Sequence, residues 1–445
     1  MNDVQFMAGA SIQDVTPPVG TLLYGYVPDS VSTSVHDRLE AGTVAFRQDG
    51  RTALLISLTV GDLGTELADE LRAVLGRETG VDADCILINA THTHSAPNVS
   101  GMEGWGDIDR PYVDGILIPA LTRSAREALG DLQPAEIAVA TVRSEVGINR
   151  RQQLPNGVIV LGQNPWGCFD PTMTLAALRN SDTKRGIVNI IHYGCHGTAA
   201  GNNREITRDW SGVMIDALTE ASGTPSVFVN GAIGDVGPRL SNGFTTGDIH
   251  LVEELGAVAA GDALRAYDLI KTQAEYKPGR FSAARGKLEI PRKPLPTRTD
   301  AQESILRFQD PDNLINVARL EYAHFRAVLD EYEAGEPPYD PSFVFPMTVL
   351  SLGEIVFVPF PFEIFSEMCL RLKNYSPFPH TLSLSNTNGY CAYLPTQDQL
   401  VRGGYEVDCF KYNGAHPLAD NSDQIVIDES MALIAQAFQD SGRAN

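Results

Sequence analysis

Short apolar runs of strand length alternate with longer amphipathic stretches through most of the chain. Residues 44–46 and 53–58 read as two strands around a turn at Gln48-Asp49-Gly50. Over 65–81, apolar residues recur at Leu67, Leu71, Val74 and Leu75, an interval that predicts a helix crossing to a strand at 85–89. Strand, helix, strand in that order implies parallel pairing. The same patterns predict helices over 112–129, 251–270, 314–332 and 426–438. Strands are expected over 137–143, 169–178, 186–191 and 226–230, with an apolar hairpin over 348–358 around Leu352-Gly353-Glu354. A proline-stopped strand opens the chain over 8–20, and Asp209 or Ser211 suits the cap of a helix after 207. The fold class expected is α/β, with mixed, largely parallel sheets flanked by helices. Residues 1–445 are expected to form one large domain. The segment 287–297, rich in Pro and Lys, reads as an extended connector, and 280–345 as a lid or subdomain insertion.

Size and charge narrow the classes. A chain of 445 residues can bury a large core. Its formal net charge of −22, with no basic cluster to offset it, excludes nucleic acid and stable membrane association as expected partners. The first seven residues lack a basic, apolar leader pattern, and no stretch is long enough to span a bilayer. The six cysteines lie far apart without a CxxC pair, which reads as free thiols in a reducing, cytoplasmic setting. No oligomeric state follows from these features.

Chemistry concentrates in two windows that each follow an apolar run: Asn89-Ala90-Thr91-His92-Thr93-His94-Ser95-Ala96-Pro97, and Ile191-His192-Tyr193-Gly194-Cys195-His196-Gly197-Thr198. They hold four of the nine histidines. In an extended chain, His92 and His94 point to one side, which suits a divalent metal, or one ligand beside one proton carrier. Parallel neighbouring strands would bring both loops to one sheet edge. Glu363 stands inside the apolar run 358–365, where an unpaired carboxylate is costly. Surface location is the ordinary reading of Arg150-Arg151, and an interior hydroxyl-bonded aromatic that of Tyr390 and Tyr393. His36 suits either the site or a structural role. The loop Met102 to Asp107, with Gly104, Trp105 and Gly106, reads as a flexible rim over a pocket.

These windows, with Gly234-Asp-Val236 and Pro238, resemble the catalytic domain of the neutral, non-lysosomal ceramidases, which are zinc-dependent amidases. The resemblance extends to Asn149-Arg150, Glu363, Asn388-Gly389-Tyr390-Cys391-Ala392-Tyr393 and Gly403-Gly404-Tyr405-Glu406. It implies one zinc ion held by His92, His196 and Glu363, with Tyr393 as a fourth ligand, and catalytic roles for His94, Arg150 and Tyr393. Three departures stand out. The position after Asp-Val, usually a serine considered as a nucleophile, is Gly237, which leaves metal-bound water as the nucleophile. The usual Pro-Gly-Glu is Pro361-Phe362-Glu363, and a C-terminal immunoglobulin-like domain is not expected.

The resulting expectation is a zinc-dependent amidohydrolase acting on a small N-acyl or cyclic amide. An esterase or lactonase would use the same hydroxide. The reading from another class is a metal-binding protein with a dead site, motivated by the missing serine. Retention of His94 and Arg150 beside the expected ligands argues against it.

Overall fold

The computed structural model describes residues 5–27, 30–102, 106–311, 314, 316–335, 341–413 and 417–442. Gly104 and Trp105 of the expected rim lie outside them.

Two strand pairs explain the continuous apolar runs. Ile86–Ala90 is buried along its whole length beside Arg51–Leu58, and Ser226–Asn230 likewise beside Gly186–Tyr193. A strand covered on both faces has no reason to alternate. These pairs stand at opposite ends of a nine-stranded sheet: Ser226–Asn230, Gly186–Tyr193, Thr172–Asn180, Gln133–Arg143, Met7–Asp14, Glu40–Gln48, Arg51–Leu58 and Ile86–Ala90, with Lys277–Pro278 beside Gln133–Arg143. The sheet is mixed, as expected. It is not largely parallel, however: the two end pairs are parallel and the pairs between them antiparallel. Short connections such as the Asp49-Gly50 hairpin turn force that arrangement.

Met7–Asp14 pairs with Glu40–Gln48 along its full length but touches Gln133–Arg143 only at Met7↔Pro134 and Ala8↔Gln133. From that corner the halves part and fold face to face. The Ser57 hydroxyl donates across the gap to Phe228 O (2.6 Å), and a Cβ at Gly42 would lie 2.5 Å from Val227. One apolar core holds Leu55, Ile56, Ile88, Val188, Ile190 and Val227 from both halves. Helices Thr65–Thr79 and Ile118–Gly130 cover one outer face, and Trp210–Ser222 and Ile249–Thr272 the other, giving four layers. Asp209 caps Trp210–Ser222, accepting from Trp210 N (2.7 Å).

A second, four-stranded sheet is built from Phe281–Pro291, Ser342–Leu352, Ile355–Pro359 and His380–Leu384. Helices Ser366–Tyr375 and Ser422–Asp440 cover it. Phe281–Pro291 pairs with Ser342–Leu352 over its whole length, so 287–291 is strand and the expected connector begins later. Between these strands, helices Arg298–Ile305 and Asn316–Ala334 share a small core of Ala301, Phe325, Val328 and Leu329. Beyond the sheet, Glu363–Ile364 runs parallel to Tyr393–Leu394 and sets Glu363 directly beside Tyr393. Among the described residues no helix is long and apolar enough to cross a membrane. Among the described residues the six cysteines form no disulfide; Cys168 is exposed and Cys391 half-buried, while the other four are buried.

Candidate metal centre

Because Arg51–Leu58 and Ile86–Ala90 are parallel, both strands end on one side, where their loops supply Asp62, His92 and His94. Gly186–Tyr193 delivers His196 from the opposite end of the sheet. Face-to-face folding of the halves, rather than adjacency at one edge, brings the two histidine windows together. The loops are then tied by a parallel bridge between Thr93 and Gly197, with His94 N donating to Gly197 O (3.1 Å). His92 has φ +65°, so the His-x-His segment is not extended. Positive φ also marks Asn386, Asn388 and Ala392 nearby. Such conformations cost energy and cluster where surrounding structure over-determines them.

The side chains converge. His92 Nε2 lies 3.1 Å from His94 Nε2 and 3.6 Å from Glu363 Oε1, and His196 Nε2 lies 2.9 Å from Glu363 Oε2. His92, His196 and Glu363 are each 1 % exposed. All three imidazoles turn Nδ1 toward oxygen. His92 Nδ1 faces Asp62 Oδ1 (2.9 Å) and Gly61 O (3.1 Å), His94 Nδ1 faces Gly25 O (3.2 Å), and His196 Nδ1 faces Val236 O (2.9 Å). With the ring proton on Nδ1, each Nε2 carries a lone pair. Three lone pairs and a carboxylate pointed at one small volume repel one another, and positive charge, either a proton on His92 or a metal ion, relieves that repulsion. Two groups have donor atoms close enough together to hold one: His92, His94 and His196, and Asp62, His92 and Glu363. Among the described residues nothing donates a hydrogen bond to the buried Glu363 Oε2. This donor set fits a divalent ion of the zinc type.

Arg150 closes another side. Its Nη1 donates to His196 Nε2 (2.7 Å), Nη2 to the Tyr393 hydroxyl (3.0 Å), and Nε to Glu406 Oε1 (2.8 Å). Arg151 is also buried, on Glu406 Oε2, contrary to the surface reading of the doubled arginine. The Tyr390 hydroxyl donates to Glu363 Oε1 (3.4 Å). Asn149 does not face the centre; its Nδ2 donates to Cys168 O (2.7 Å) and Asp235 Oδ2 (3.2 Å).

Burial opposes charge on His92, yet the carboxylates of Asp62 and Glu363 push its pKa up to about 9. Burial likewise raises Glu363, to about 7, against the pull of the His92 charge. His94 and His196 are held well below the usual histidine range by burial and by the positive charges of His92 and Arg150. The carboxylates therefore call for positive charge at the centre. A cavity of about 30 Å³ opens on it, walled by Tyr24, His94, Glu363, Tyr390, Tyr393 and Tyr405.

All six residues singled out from the sequence, His92, His94, Arg150, His196, Glu363 and Tyr393, thus lie in one cluster. His36 does not: it faces Asp37 and Glu253. His192 bonds Ser383 O behind the sheet. The glycines of 231–237 serve chain packing rather than a ligand, since a Cβ at Gly234 would lie 2.5 Å from Glu363 O. Sequence reasoning missed Asp62, Tyr24, Asn386 and the ion-pairing role of Glu406. The Gly61-Asp62 pair just beyond the apolar run 53–58 carries the same loop-after-strand signal that drew attention to His92.

The architecture is that of the neutral ceramidases. A ceramidase complexed with C2 superposes with a TM-score of 0.74 at 15% identity, over 98% of this chain and 76% of that one. The neutral ceramidase from Pseudomonas aeruginosa gives 0.71 at 16% identity, over 98% and 75%. No family model matches the sequence. No curated protein matches it either. The likeness is one of fold.

Proposed function

We propose that this chain is a metal-dependent hydrolase cleaving the carbon–nitrogen bond of a small N-acyl or cyclic amide. The observation that carries the reading is the meeting of His92, His196 and Glu363, drawn from distant segments, with lone pairs and a carboxylate turned inward. The ceramidase-like fold supports an amide over other carbonyl substrates. His92, His196, Glu363 and Tyr393 would hold a single ion, with zinc expected from the mixed nitrogen and oxygen donors. When bound, such an ion supplies Lewis acidity and lowers the pKa of a water molecule to near 7.

The remaining residues supply the other parts of an acyl transfer to water. His94 Nε2, free of a proton while Nδ1 bonds Gly25 O, takes the proton of the attacking water and hands it to the departing nitrogen. Arg150 holds its charge in the buried site, anchored by Glu406, and with the Tyr393 hydroxyl supplies donors for the negative charge growing on the carbonyl oxygen. A purely structural metal would need neither group. Tyrosine walls limit water around the reacting atoms.

Metal analysis of protein purified without added metal, paired with hydrolysis of a panel of N-acyl amides, cyclic amides, esters and lactones, tests the proposal. About one zinc per chain and turnover of an amide are expected, both lost in His92→Ala. Stoichiometric metal without turnover of any member would instead identify a binding protein. Undiminished activity in His92→Ala would remove the site assignment.

A further inference from the structure

Beside the centre lies a second cavity, of about 340 Å³, which shares Met102 and Tyr390 with the tyrosine-walled one. Tyr390 belongs to both the partition and the centre, because its hydroxyl reaches Glu363 Oε1 at 3.4 Å. Part of the cavity's lining is apolar, formed by Leu67, Ile108, Phe343 and Phe362, while Glu66 and Arg292 make another part charged. Phe362 directly precedes Glu363, is 2 % exposed, and meets Phe343 edge to face with ring centroids 6.0 Å apart. Its distance from the carboxylate is therefore fixed by one peptide unit. Arg292 lies over the other aromatic wall, 4.9 Å from the Phe343 centroid.

Resting on the amidase reading, we propose that this cavity receives the acyl group of the substrate, and that Phe362 and Ile108 set the length it accepts. Counting about 30 Å³ per heavy atom, as for liquid water, the space holds roughly ten atoms, an acyl chain of about eight to ten carbons. The apolar part of the wall favours a hydrocarbon, and each methylene moved from water onto it raises kcat/KM about threefold to fourfold. Methylenes beyond the cavity gain nothing. The substrate class is thus a short- to medium-chain N-acyl amide.

The test uses the metal-loaded full chain and N-acyl derivatives of one chromogenic aromatic amine, with acyl groups of two to sixteen carbons. A parallel series holds the acyl group constant and varies the amine. The expected profile climbs with acyl length to about eight to ten carbons and then levels. Ile108→Trp, at a half-buried position, should lower the ratio of octanoyl to acetyl turnover at least tenfold and leave amine preference unchanged. Phe362→Leu should shift the plateau to longer chains; thermal melts of both variants establish that they are folded. A profile flat from two carbons, one still climbing at sixteen, or an Ile108→Trp effect that follows the amine would overturn the assignment while leaving the amidase reading intact. No turnover of any member, with metal bound, would overturn both.

Discussion

Asp62 stands behind His92. Its Oδ1 meets His92 Nδ1 at 2.9 Å and accepts from Asn386 Nδ2 at 2.8 Å, while Oδ2 accepts from the Tyr24 hydroxyl. It is 1 % exposed, so its charge acts with little screening. A carboxylate in that place fixes the tautomer and orientation of the imidazole and makes Nε2 a better donor. Asn at the same position keeps the size but removes the charge that holds the Nδ1 proton. Asp62→Asn should therefore lower zinc affinity about 10- to 100-fold, read by competition with a chromogenic chelator. Wild-type affinity in a folded variant would mean that Asp62 does not support His92. His94 has a different kind of support. Gly25, at φ +121°, brings its carbonyl to His94 Nδ1, and a Cβ there would lie 2.5 Å from that nitrogen. The ring is thus held by backbone, which adds no charge, in keeping with a group that must gain and lose a proton.

The strand Gly147–Gln153 shows what an element adds to its residues. It is the middle of a three-stranded sheet, between Val236–Pro238 and Ile159–Asn164. Its ladder shifts register between Asn149 and Arg151, the local irregularity that twists a strand and re-aims side chains. Two adjacent arginines, which strict alternation would send to opposite faces, both reach Glu406. The neighbouring strand explains Gly237. A Cβ there would lie 2.5 Å from Thr245 Cβ, whose backbone is held by the Thr198 hydroxyl at 2.9 Å. Gly237→Ser should cost about 1–3 kcal/mol of stability, measured by urea unfolding, and bring no gain in hydrolysis. A variant of unchanged stability would show that this wall yields. Elements with strong periodicity were legible from sequence: the helix at Thr65–Thr79, the hairpin at Asp49-Gly50 and the capped helix at Trp210–Ser222 follow from local pattern. Phe281–Pro291 was not legible as a strand. Its Pro and Lys residues argue against strand locally, and its long pairing with Ser342–Leu352, distant in sequence, prevails.

At the scale of the molecule, the centre depends on a sheet that turns back on itself. Asn89 sits where the halves meet: its Nδ2 donates to Ser385 O (2.7 Å), and its Oδ1 accepts from Asn230 N (2.8 Å). Each histidine window was legible as a loop after a buried strand. The corner at Met7-Ala8 that stacks the two windows was not, because it rests on two residue pairs between distant strands. His192, four residues before His196, ties the main sheet to the second one, which leads into Glu363. Its Nε2–H donates to Ser383 O at 2.9 Å, and its Nδ1 has no hydrogen-bond partner among the described residues. Burial first, and then the charge of Lys373, lower its pKa from 6.5 to about 4; the hydrogen bond to Ser383 O and the charge of Asp170, paired with Lys373, pull the other way. The unfolded chain therefore binds a proton on this residue between about pH 6.5 and 4, where the folded protein does not. A lowered histidine contributes stability in full above the unfolded value and loses it as pH falls toward the folded one. The gap corresponds to about 3 kcal/mol when fully expressed. Urea unfolding at pH 7.5 and 4.5 should show wild type losing about 2 kcal/mol more than His192→Gln, whose amide keeps the donor to Ser383 and does not titrate. Equal losses in the two proteins would mean that His192 is protonated in the fold, and that the tie between the sheets is charged.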